Sequence, residues 1–427
     1  MQDEPSHAHQ AGLFRHSVLL MAATQIGGVA NLLFQMTMMR SLTVEEYGVL
    51  ATMLSLVHVF VMPLEALRTT VAHQAGLLTR MGAPGNVRRL IRRWARYLLV
   101  PSLLVLAAGL GGRGMLADFF QMPSGMPVVA TVLVIAFIPF MQMCVGALQG
   151  LQAFVWMSAV SQGWCLVRLA AGAAFVTLIA RSATAGLSAQ ALGVGISIAV
   201  GLTGLRWVLK GDPREKEMDF GSLRYFLMSM FILGGYAVLM YADVMLVKRF
   251  FDPAEAGLFA KAATMGRTII YLAIPIAGAM FPKVVSTGLA SAGDRRVFGH
   301  AFLYAGSVIA LTAVGVTMFA APLWLLFTGE QPTAETIRLV RAVVWAMSPL
   351  GLTFLIMNFE LAQRRFGLVT ILAPLAVLYI GGVNMFHESL FQVIAVLAVV
   401  NILSVLVLLA GVMGRRNAGP AREAQKV

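Results

Sequence analysis

The chain has 427 residues, of which 59% are hydrophobic and only 12% are charged, and its formal net charge is +13. Soluble domains contain about 45–50% apolar and about 25% charged residues. A water-soluble enzyme, a secreted domain held by disulfides and a disordered chain are therefore excluded, since the polar surface is too small. Together with a mean hydropathy of +0.81, the composition indicates a polytopic membrane protein.

Long apolar runs recur along the whole chain. A bilayer core about 30 Å thick needs about 20 apolar residues in each helix. Twelve runs are long enough, and they cover residues 13–39, 49–78, 97–117, 126–148, 155–180, 186–209, 225–248, 257–282, 301–327, 339–360, 367–385 and 389–413. The runs are continuous rather than alternating, which excludes a transmembrane barrel and predicts an all-α protein. Cys144 and Cys165 lie inside these runs, so free thiols are expected.

Lysine and arginine are distributed unevenly between the two sides that the runs define. With the amino terminus placed in the cytoplasm, 21 of them lie in cytoplasmic segments, seven in outer segments and four within the runs. This excess follows the positive-inside rule and predicts a multi-pass protein of a bacterial inner membrane with both termini in the cytoplasm. The topology also accounts for the net charge without a nucleic-acid partner.

The chain is predicted to form two parallel lobes of six helices around a central cavity. A polar linker follows the sixth run, and Arg40–Ala51 matches Arg249–Ala260 after a shift of 209 positions. Because each half has six runs, the repeats are parallel, an arrangement that is common among transporters. The predicted segments are a mobile cytoplasmic amino terminus (1–12), a first lobe (13–209), a cytoplasmic linker (210–222), a second lobe (223–414) and a cytoplasmic tail (415–427).

Three segments resemble one family of membrane proteins. They are RSLTVEEYGVLATMLSLVHVFVMPLEALRTTVA (40–72), GALQGLQAF (146–154) and YADVMLVKRFFDPAEAGLFAKAATMGRTIIYLAIPIAGAMFPKVV (241–285). They are similar to the Wzx-like polysaccharide flippases of the multidrug/oligosaccharidyl-lipid/polysaccharide (MOP) superfamily. The resemblance covers most of the chain. It implies a two-lobed transporter of about twelve helices that moves a lipid-linked sugar unit from the cytoplasmic to the outer leaflet, and it does not name the glycan.

Six charged side chains lie well inside the predicted spans. A charge at the bilayer centre costs at least about 2.5–3.5 kcal/mol, so each one needs a partner, a water-filled cavity or a function. The six are Glu65, Arg68, Arg168, Asp243, Lys261 and Arg267. Their excess of positive charge suggests a cationic cavity that binds the diphosphate of a polyprenol-linked glycan, since arginine binds phosphate with two parallel N–H groups.

Within this hypothesis, Arg168 and Arg267 contact the diphosphate, because both lie near the middle of their spans. Arg68 and Lys261 are further candidate substrate-binding residues. His58 joins them because it occupies the position of Arg267 in the first repeat.

Asp243 and Glu65 are expected to compensate charge or to carry a coupling proton. A purely structural alternative stays open for both acids. Glu65 and Arg68 are three residues apart on one helix face, and Asp243 and Lys261 are on adjacent spans, so each couple can form an ion pair. Arg168 and Arg267 have no obvious partner in the sequence.

Residues 87–98 combine a basic and an apolar helical face. Arg88, Arg89, Arg92, Arg93 and Arg96 lie on one face, and Val87, Leu90, Ile91, Trp94 and Leu98 lie on the other. The pattern predicts a helix lying on the inner leaflet, with its arginines toward anionic phospholipid and Trp94 at the interface. A simple topology anchor and a docking site for lipid-linked substrate or sugar transferases are equally open.

No motif indicates catalysis, a cofactor or a metal. Gly109–Gly114 has the glycine spacing of a dinucleotide-binding motif, but it ends an apolar helix instead of following a strand. The seven histidines lack metal-ligand spacing. Neither a Ser–His–acid grouping nor a Walker-type phosphate loop is present. We therefore expect no enzyme activity, no cofactor, no metal and no direct use of ATP.

These observations predict a flippase that moves a polyprenyl-diphosphate-linked oligosaccharide by alternating access. Polysaccharide polymerase and glycosyltransferases are the expected protein partners. The first alternative is a cation-coupled multidrug exporter of the same superfamily, which would need a net acidic, aromatic cavity. The second is a membrane-embedded polysaccharide-processing enzyme, which the short outer loops disfavour.

Overall fold

The computed structural model describes residues 7–81, 84–210, 223–286, 292–363 and 365–414. Within these ranges the regular elements are helices, and no strand occurs. The first half contains α1 (His7–Ser41), α2 (Val44–Val61), α3 (Glu65–Arg80), α4 (Val87–Gly111), α5 (Arg113–Phe119), α6 (Met126–Gly150), α7 (Phe154–Leu178), α8 (Ala183–Gly204) and α9 (Arg206–Leu209). The second half contains α10 (Leu223–Phe250), α11 (Pro253–Ser286), α12 (Ala292–Met318), α13 (Ala320–Thr328), α14 (Ala334–Ala362), α15 (Phe366–Val369), α16 (Leu372–Met385) and α17 (Leu390–Gly414).

The chain divides into two compact units, Met1–Phe226 and Leu227–Val427. Helix α1 begins at His7, inside the stretch that the sequence assigns to a mobile amino terminus. Most of the predicted linker, and the whole predicted carboxy-terminal tail, lie outside the described residues. The predicted segment boundaries therefore stay predictions.

Ten segments of the described chain are helical, long and apolar enough to cross a membrane. Each of them overlaps one of the predicted spans. The two other predicted spans, 13–39 and 257–282, lie within α1 and α11. The prediction of an all-α polytopic membrane protein is confirmed. Cys144 and Cys165 are free and buried, as expected from their place in apolar runs.

The second predicted span is broken in the middle. Helix α2 ends at Val61 and α3 begins at Glu65, and the break between them contains Pro63, whose nitrogen has no hydrogen to donate. Two tight turns bridge the break: the N–H of Leu64 donates to the carbonyl of Val61 (3.0 Å), and the N–H of Glu65 donates to that of Met62 (3.1 Å). The break gives α3 its own N-terminus, whose dipole favours the carboxylate of Glu65.

Helix α3 packs against α6 with the two backbones in contact. A Cβ atom on Gly150 would lie 2.4 Å from the carbonyl oxygen of Ala72, and one on Gly146 would lie 2.5 Å from that of Arg68. Only glycine permits this approach, and small residues at such positions are typical of helix association in membranes. Both glycines belong to the segment GALQGLQAF, which turns toward α7 through Gln152 in the left-handed region (φ 58°).

The basic segment 87–98 and the span after it form one continuous helix, α4. The segment predicted to lie on the inner leaflet is therefore the first part of a longer helix, and its place at the leaflet stays a prediction. The chain has neither glycine nor proline between Arg96 and Pro101, and Pro101 itself is accommodated inside the helix. The two faces are as predicted, since four of the arginines are exposed and the apolar positions are largely buried.

Candidate functional site

Arg168 on α7 is buried in the first unit, with only 1% of its surface exposed. Its Nη1 donates a hydrogen bond to Oε1 of Gln190 on α8 (2.6 Å), and its Nη2 donates to Oδ1 of Asn31 on α1. The guanidinium carbon lies 3.9 Å from the ring centroid of Phe34 and 5.2 Å from that of Trp164. Three helices therefore hold one guanidinium group in a defined position.

We call these five residues the Arg168 cluster, and together they have one net positive charge. The amide oxygens replace part of the hydration that the guanidinium loses, and the aromatic faces stabilise a cation, but neither supplies a negative charge. Arginine does not lose its proton in proteins. The Arg168 cluster therefore buries a charged guanidinium group among two neutral amides and two aromatic rings.

Arg267 on α11 forms a buried ion pair inside the second unit. Its Nη2 contacts Oδ1 of Asp243 on α10, and its Nε donates to the carbonyl oxygen of Met240 (2.9 Å). The guanidinium carbon lies 5.2 Å from the ring centroid of Tyr241. The sequence shows no obvious partner for Arg267, whereas the fold supplies one, so this pair has no net charge.

Two buried polar atoms near this ion pair make no hydrogen bond: Oδ2 of Asp243 and the hydroxyl of Tyr379 on α16. Tyr379 lies within electrostatic range of both Asp243 and Arg267. Nearly all buried polar groups in proteins are hydrogen-bonded, so orphan atoms of this kind need an explanation. Oδ2 is the oxygen of this carboxylate that is available to take up a proton.

The expected approach of Lys261 to Asp243 is not observed. Nζ of Lys261 donates to Oε1 of Glu330 (2.8 Å), just beyond α13. Asp243 and Lys261 are at similar distances from the turn between α10 and α11. Helical side chains point toward the N-terminus of their own helix, and the N-terminus of α11 lies at this turn. Lys261 therefore extends past the level of Asp243 toward the turn, whereas Arg267, which starts farther from the turn, extends to Asp243.

Glu330→Gln is expected to lower the heat resistance of the protein, because it leaves the ammonium group of the fully buried Lys261 without its carboxylate. The loss should be moderate, since the Glu330 side chain is 46% exposed and water screens its charge. The measurement is the temperature at which half of the purified protein stays monodisperse. The double variant with Lys261→Met should recover most of the loss, and equal losses in both variants would contradict the pairing.

Glu65 and Arg68 form the ion pair that their spacing predicts, with 2.7 Å between Oε2 and Nη2. Nε2 of Gln142 on α6 donates to Oε1 of Glu65 (3.1 Å). Both charged side chains are about one-third exposed, so water reaches this pair. Nδ1 of His58 lies 2.6 Å from the carbonyl oxygen of Leu54, one turn earlier in α2.

The predicted site residues divide between the two units. His58, Glu65, Arg68, Arg168 and the basic face of α4 lie in the first, and Asp243, Lys261 and Arg267 lie in the second. Within the described side chains, the contacts bring Glu65 to Arg68 and Asp243 to Arg267.

Sequence reasoning missed the polar partners Asn31, Gln142, Gln190 and Glu330, and also the buried hydroxyl of Tyr379 near the Asp243–Arg267 pair. The three amides were recognisable in principle, because an amide inside an apolar run has to find a hydrogen-bond partner when it is buried. Glu330 and Tyr379 had no such signal, since an acid in a loop and a tyrosine in a span are both common.

Neither a family model nor a curated protein matches this sequence, but solved structures do. A MATE family multidrug resistance transporter of the MOP superfamily, in an inward-facing conformation, is similar with a TM-score of 0.70 and 10% identity, covering 92% of this chain and 96% of that one. The lipid II flippase MurJ in an inward closed conformation is similar with a TM-score of 0.67 and 15% identity, and the match covers 93% of this chain and 87% of that one.

A third similar structure is a MOP superfamily transporter from Pyrococcus furiosus, whose binding pocket is described as having reverse polarity. Its TM-score is 0.64 at 14% identity, and 94% of each chain is covered. All three neighbours are transporters rather than enzymes, and identities this low establish the fold alone. The chain therefore has the two-lobed fold of the MOP superfamily transporters.

Proposed function

We propose that the protein is a flippase that moves a polyprenyl-diphosphate-linked oligosaccharide from the inner to the outer leaflet of the bacterial cytoplasmic membrane, by alternating access of its two units. The fold supports a transporter, and one neighbour, MurJ, is named as a flippase of lipid II. The proposal depends above all on the Arg168 cluster, because a planar guanidinium group held by amides and aromatic rings suits the oxygens of an anionic substrate. Both termini are proposed to be cytoplasmic, with polysaccharide polymerase and glycosyltransferases as partners.

The chemistry of the Arg168 cluster suits a diphosphate. A guanidinium group donates two parallel hydrogen bonds to phosphate oxygens, and these bonds are stronger than bonds between a guanidinium and neutral amides. The side chains of Asn31 and Gln190 are neutral amides, so a phosphate can displace them from Arg168 at a lower cost than it could displace a carboxylate. The aromatic rings of Phe34 and Trp164 fix the plane of the group.

Arg267 is proposed as the second substrate contact, and Asp243 as the group that controls it. A proton added to Oδ2 of Asp243 neutralises the carboxylate and frees the guanidinium of Arg267 for a phosphate oxygen. Glu65 serves as the charge-compensating acid of the first unit, since it already binds Arg68 and Gln142.

His58, Arg68 and Lys261 are proposed as weaker substrate contacts. Arg68 is accessible to water, whereas Lys261 has to leave Glu330 before it can bind an anion. Breaking such a pair has a cost, so these residues rank below Arg168.

A multidrug exporter is the second candidate, because MATE transporters are among the similar structures. Such a protein binds organic cations and needs carboxylates that are available to them. Both predicted intramembrane acids, Glu65 and Asp243, contact an arginine instead. A cationic drug would have to displace these arginines, which makes an anionic substrate the better fit.

Removal of the protein from its bacterium tests the function directly. The complete carrier-linked sugar unit should accumulate on the inner leaflet, and the surface polymer should be lost. Unchanged surface polymer would contradict the flippase proposal. If sensitivity to cationic dyes rises while the polymer is unaffected, the multidrug exporter is the correct function.

Arg168→Gln is expected to reduce export at least about tenfold at equal membrane levels, because one charged hydrogen-bond donor to phosphate contributes about 1.5–3 kcal/mol. Arg168→Lys should not restore export, since lysine lacks the planar fork. Combining Arg168→Gln with Arg267→Gln should abolish it. The exposed Arg181→Gln is the matched control, and normal export by the double variant would refute the assigned roles of both arginines.

A further inference from the structure

The break between α2 and α3 leaves two backbone carbonyl groups without a donor. In a continuous helix, each carbonyl group accepts a hydrogen bond from the N–H group four residues later. The residue four positions after Val59 is Pro63, which has no N–H group. The N–H of Leu64 donates to Val61 instead of Phe60. Among the described residues, neither the carbonyl oxygen of Val59 nor that of Phe60 accepts a hydrogen bond.

The surroundings of the break indicate that it borders water. It lies in the middle of the candidate membrane span Val44–Arg80. At membrane depth, carbonyl groups without donors are tolerated only where protein buries them or where they line a water-filled cavity. The side chains of Glu65 and Arg68, which follow the break, are about one-third exposed. Charged groups inside a span face water or other protein groups rather than lipid, so this exposure is to water.

An exposed aromatic side chain lies at the same break. Phe60 belongs to the last turn of α2, and 46% of its surface is exposed. The opposite border of the break is held in place, because Gln142 on α6 donates to Glu65 (3.1 Å). Ligand sites in proteins combine aromatic surface with a few polar groups, among them backbone carbonyls. The break has both components.

The polar groups at the break restrict the class of ligand. A diphosphate is disfavoured, because its ionised oxygens and the two carbonyl oxygens are all acceptors. A metal cation would lack a carboxylate, since Oε1 of Glu65 is bonded to Gln142 and Oε2 to Arg68. A sugar hydroxyl group can donate to a carbonyl oxygen, and the C–H face of a sugar ring covers an aromatic ring. A sugar residue therefore fits every group at the break.

We propose that the break between α2 and α3 binds one sugar residue of the transported glycan. Sugar hydroxyl groups donate to the carbonyl oxygens of Val59 and Phe60, and the sugar ring packs on the side chain of Phe60. The neighbouring pair of Glu65 and Arg68 has no net charge, which suits a neutral sugar. The inference rests on the proposed function, and it adds a contact for the glycan to the arginine contacts for the diphosphate.

The first test compares two ligands, bare polyprenyl diphosphate and the glycan-bearing carrier extracted from the same bacterium. Binding to the purified full-length protein is measured by native mass spectrometry. The wild type should bind the glycan-bearing carrier about fivefold more tightly, because the glycan adds hydrogen bonds. Phe60→Leu should remove this preference and Phe60→Tyr should keep it. The matched control is Phe137→Leu on α6, where the phenylalanine is 47% exposed.

The second test supplies the missing donor. Pro63→Ala introduces an N–H group at the position from which a helix donates to the carbonyl of Val59. The preference for the glycan-bearing carrier should fall at least about threefold, since one acceptor is then occupied. Pro101→Ala also adds an N–H group inside a membrane helix, and it should leave the preference unchanged. If Pro63→Ala misfolds, the variants of Phe60 decide the question.

The outcomes separate this inference from the proposed function. A wild type that binds neither ligand would overturn both. Equal binding of the two ligands by the wild type, or a preference that survives in Phe60→Leu, would overturn the sugar site alone and leave the flippase standing. An undiminished preference in a folded Pro63→Ala variant would do the same, and so would an equal loss in Phe137→Leu.

Discussion

Asp243→Asn should destabilise the protein more than Arg267→Gln, although both substitutions break the same ion pair. Arg267 cannot lose its proton, so without Asp243 it becomes an uncompensated buried cation, which costs about 3–5 kcal/mol. Asp243 can take up a proton when Arg267 is absent, and a neutral carboxyl group is much cheaper to bury. The two single variants therefore differ in their effect on the free energy of unfolding.

The comparison requires the wild type, the two single variants, the double variant and one control, and their monodispersity is measured after heating in the same detergent. Combining Asp243→Asn with Arg267→Gln should recover most of the stability, because the pair is replaced by two neutral amides. Arg68→Gln is the control: its pair with Glu65 is about one-third exposed, and such pairs contribute about 0–1 kcal/mol. If the double variant is as unstable as Asp243→Asn, the described pairing is not the source of the effect.

Gly150→Ala should separate α3 from α6 and destabilise the first unit by about 1–3 kcal/mol. The added Cβ would lie 2.4 Å from the carbonyl oxygen of Ala72, 2.6 Å from Cβ of Ala75 and 2.8 Å from the backbone nitrogen of Gly76. No side-chain rotation relieves these contacts, because two of the three atoms belong to the backbone. The helices have to move apart instead.

The matched control for this substitution is Gly195→Ala on α8, where a Cβ would have no neighbour within 4 Å. Both changes add one methyl group to a membrane helix, and alanine is the better helix former. Heat resistance should therefore fall only for Gly150→Ala. An unchanged transition in both variants would show that α3 and α6 do not pack as tightly as described.

Local chemistry made many features of the fold predictable. Apolar runs located the spans because the bilayer forces every backbone polar group to bond internally. Thr43 precedes α2 and accepts a hydrogen bond from the N–H of Glu46, as a threonine at an N-cap is expected to do. Glu65 and Arg68 pair as their spacing on one helix predicts. Each of these features depends on residues a few positions apart.

The partners of charges on different helices could not be predicted in the same way. The internal repeat aligns Arg267 with His58, yet His58 bonds a carbonyl group of its own helix while Arg267 reaches across to Asp243. The amides that hold Arg168 come from two other helices: Gln190 lies on the next helix, 22 residues away, and Asn31 lies 137 residues away on α1. An internal repeat gives two residues the same position along their spans. It does not specify which side chain of a neighbouring helix contacts each of them.

The sequence by itself determined that this is an all-α membrane protein, where its spans lie and that Arg168, Asp243, Lys261 and Arg267 are charges inside them. These properties follow from the free energy of transferring side chains into lipid and from the hydrogen bonds within one helix. Both depend only on residues close together in the chain. Only the tertiary structure decided that Arg267 is neutralised by Asp243, that Lys261 binds Glu330 and that neutral amides hold Arg168. Those outcomes depend on helix rotation and side-chain direction, which hydropathy does not encode.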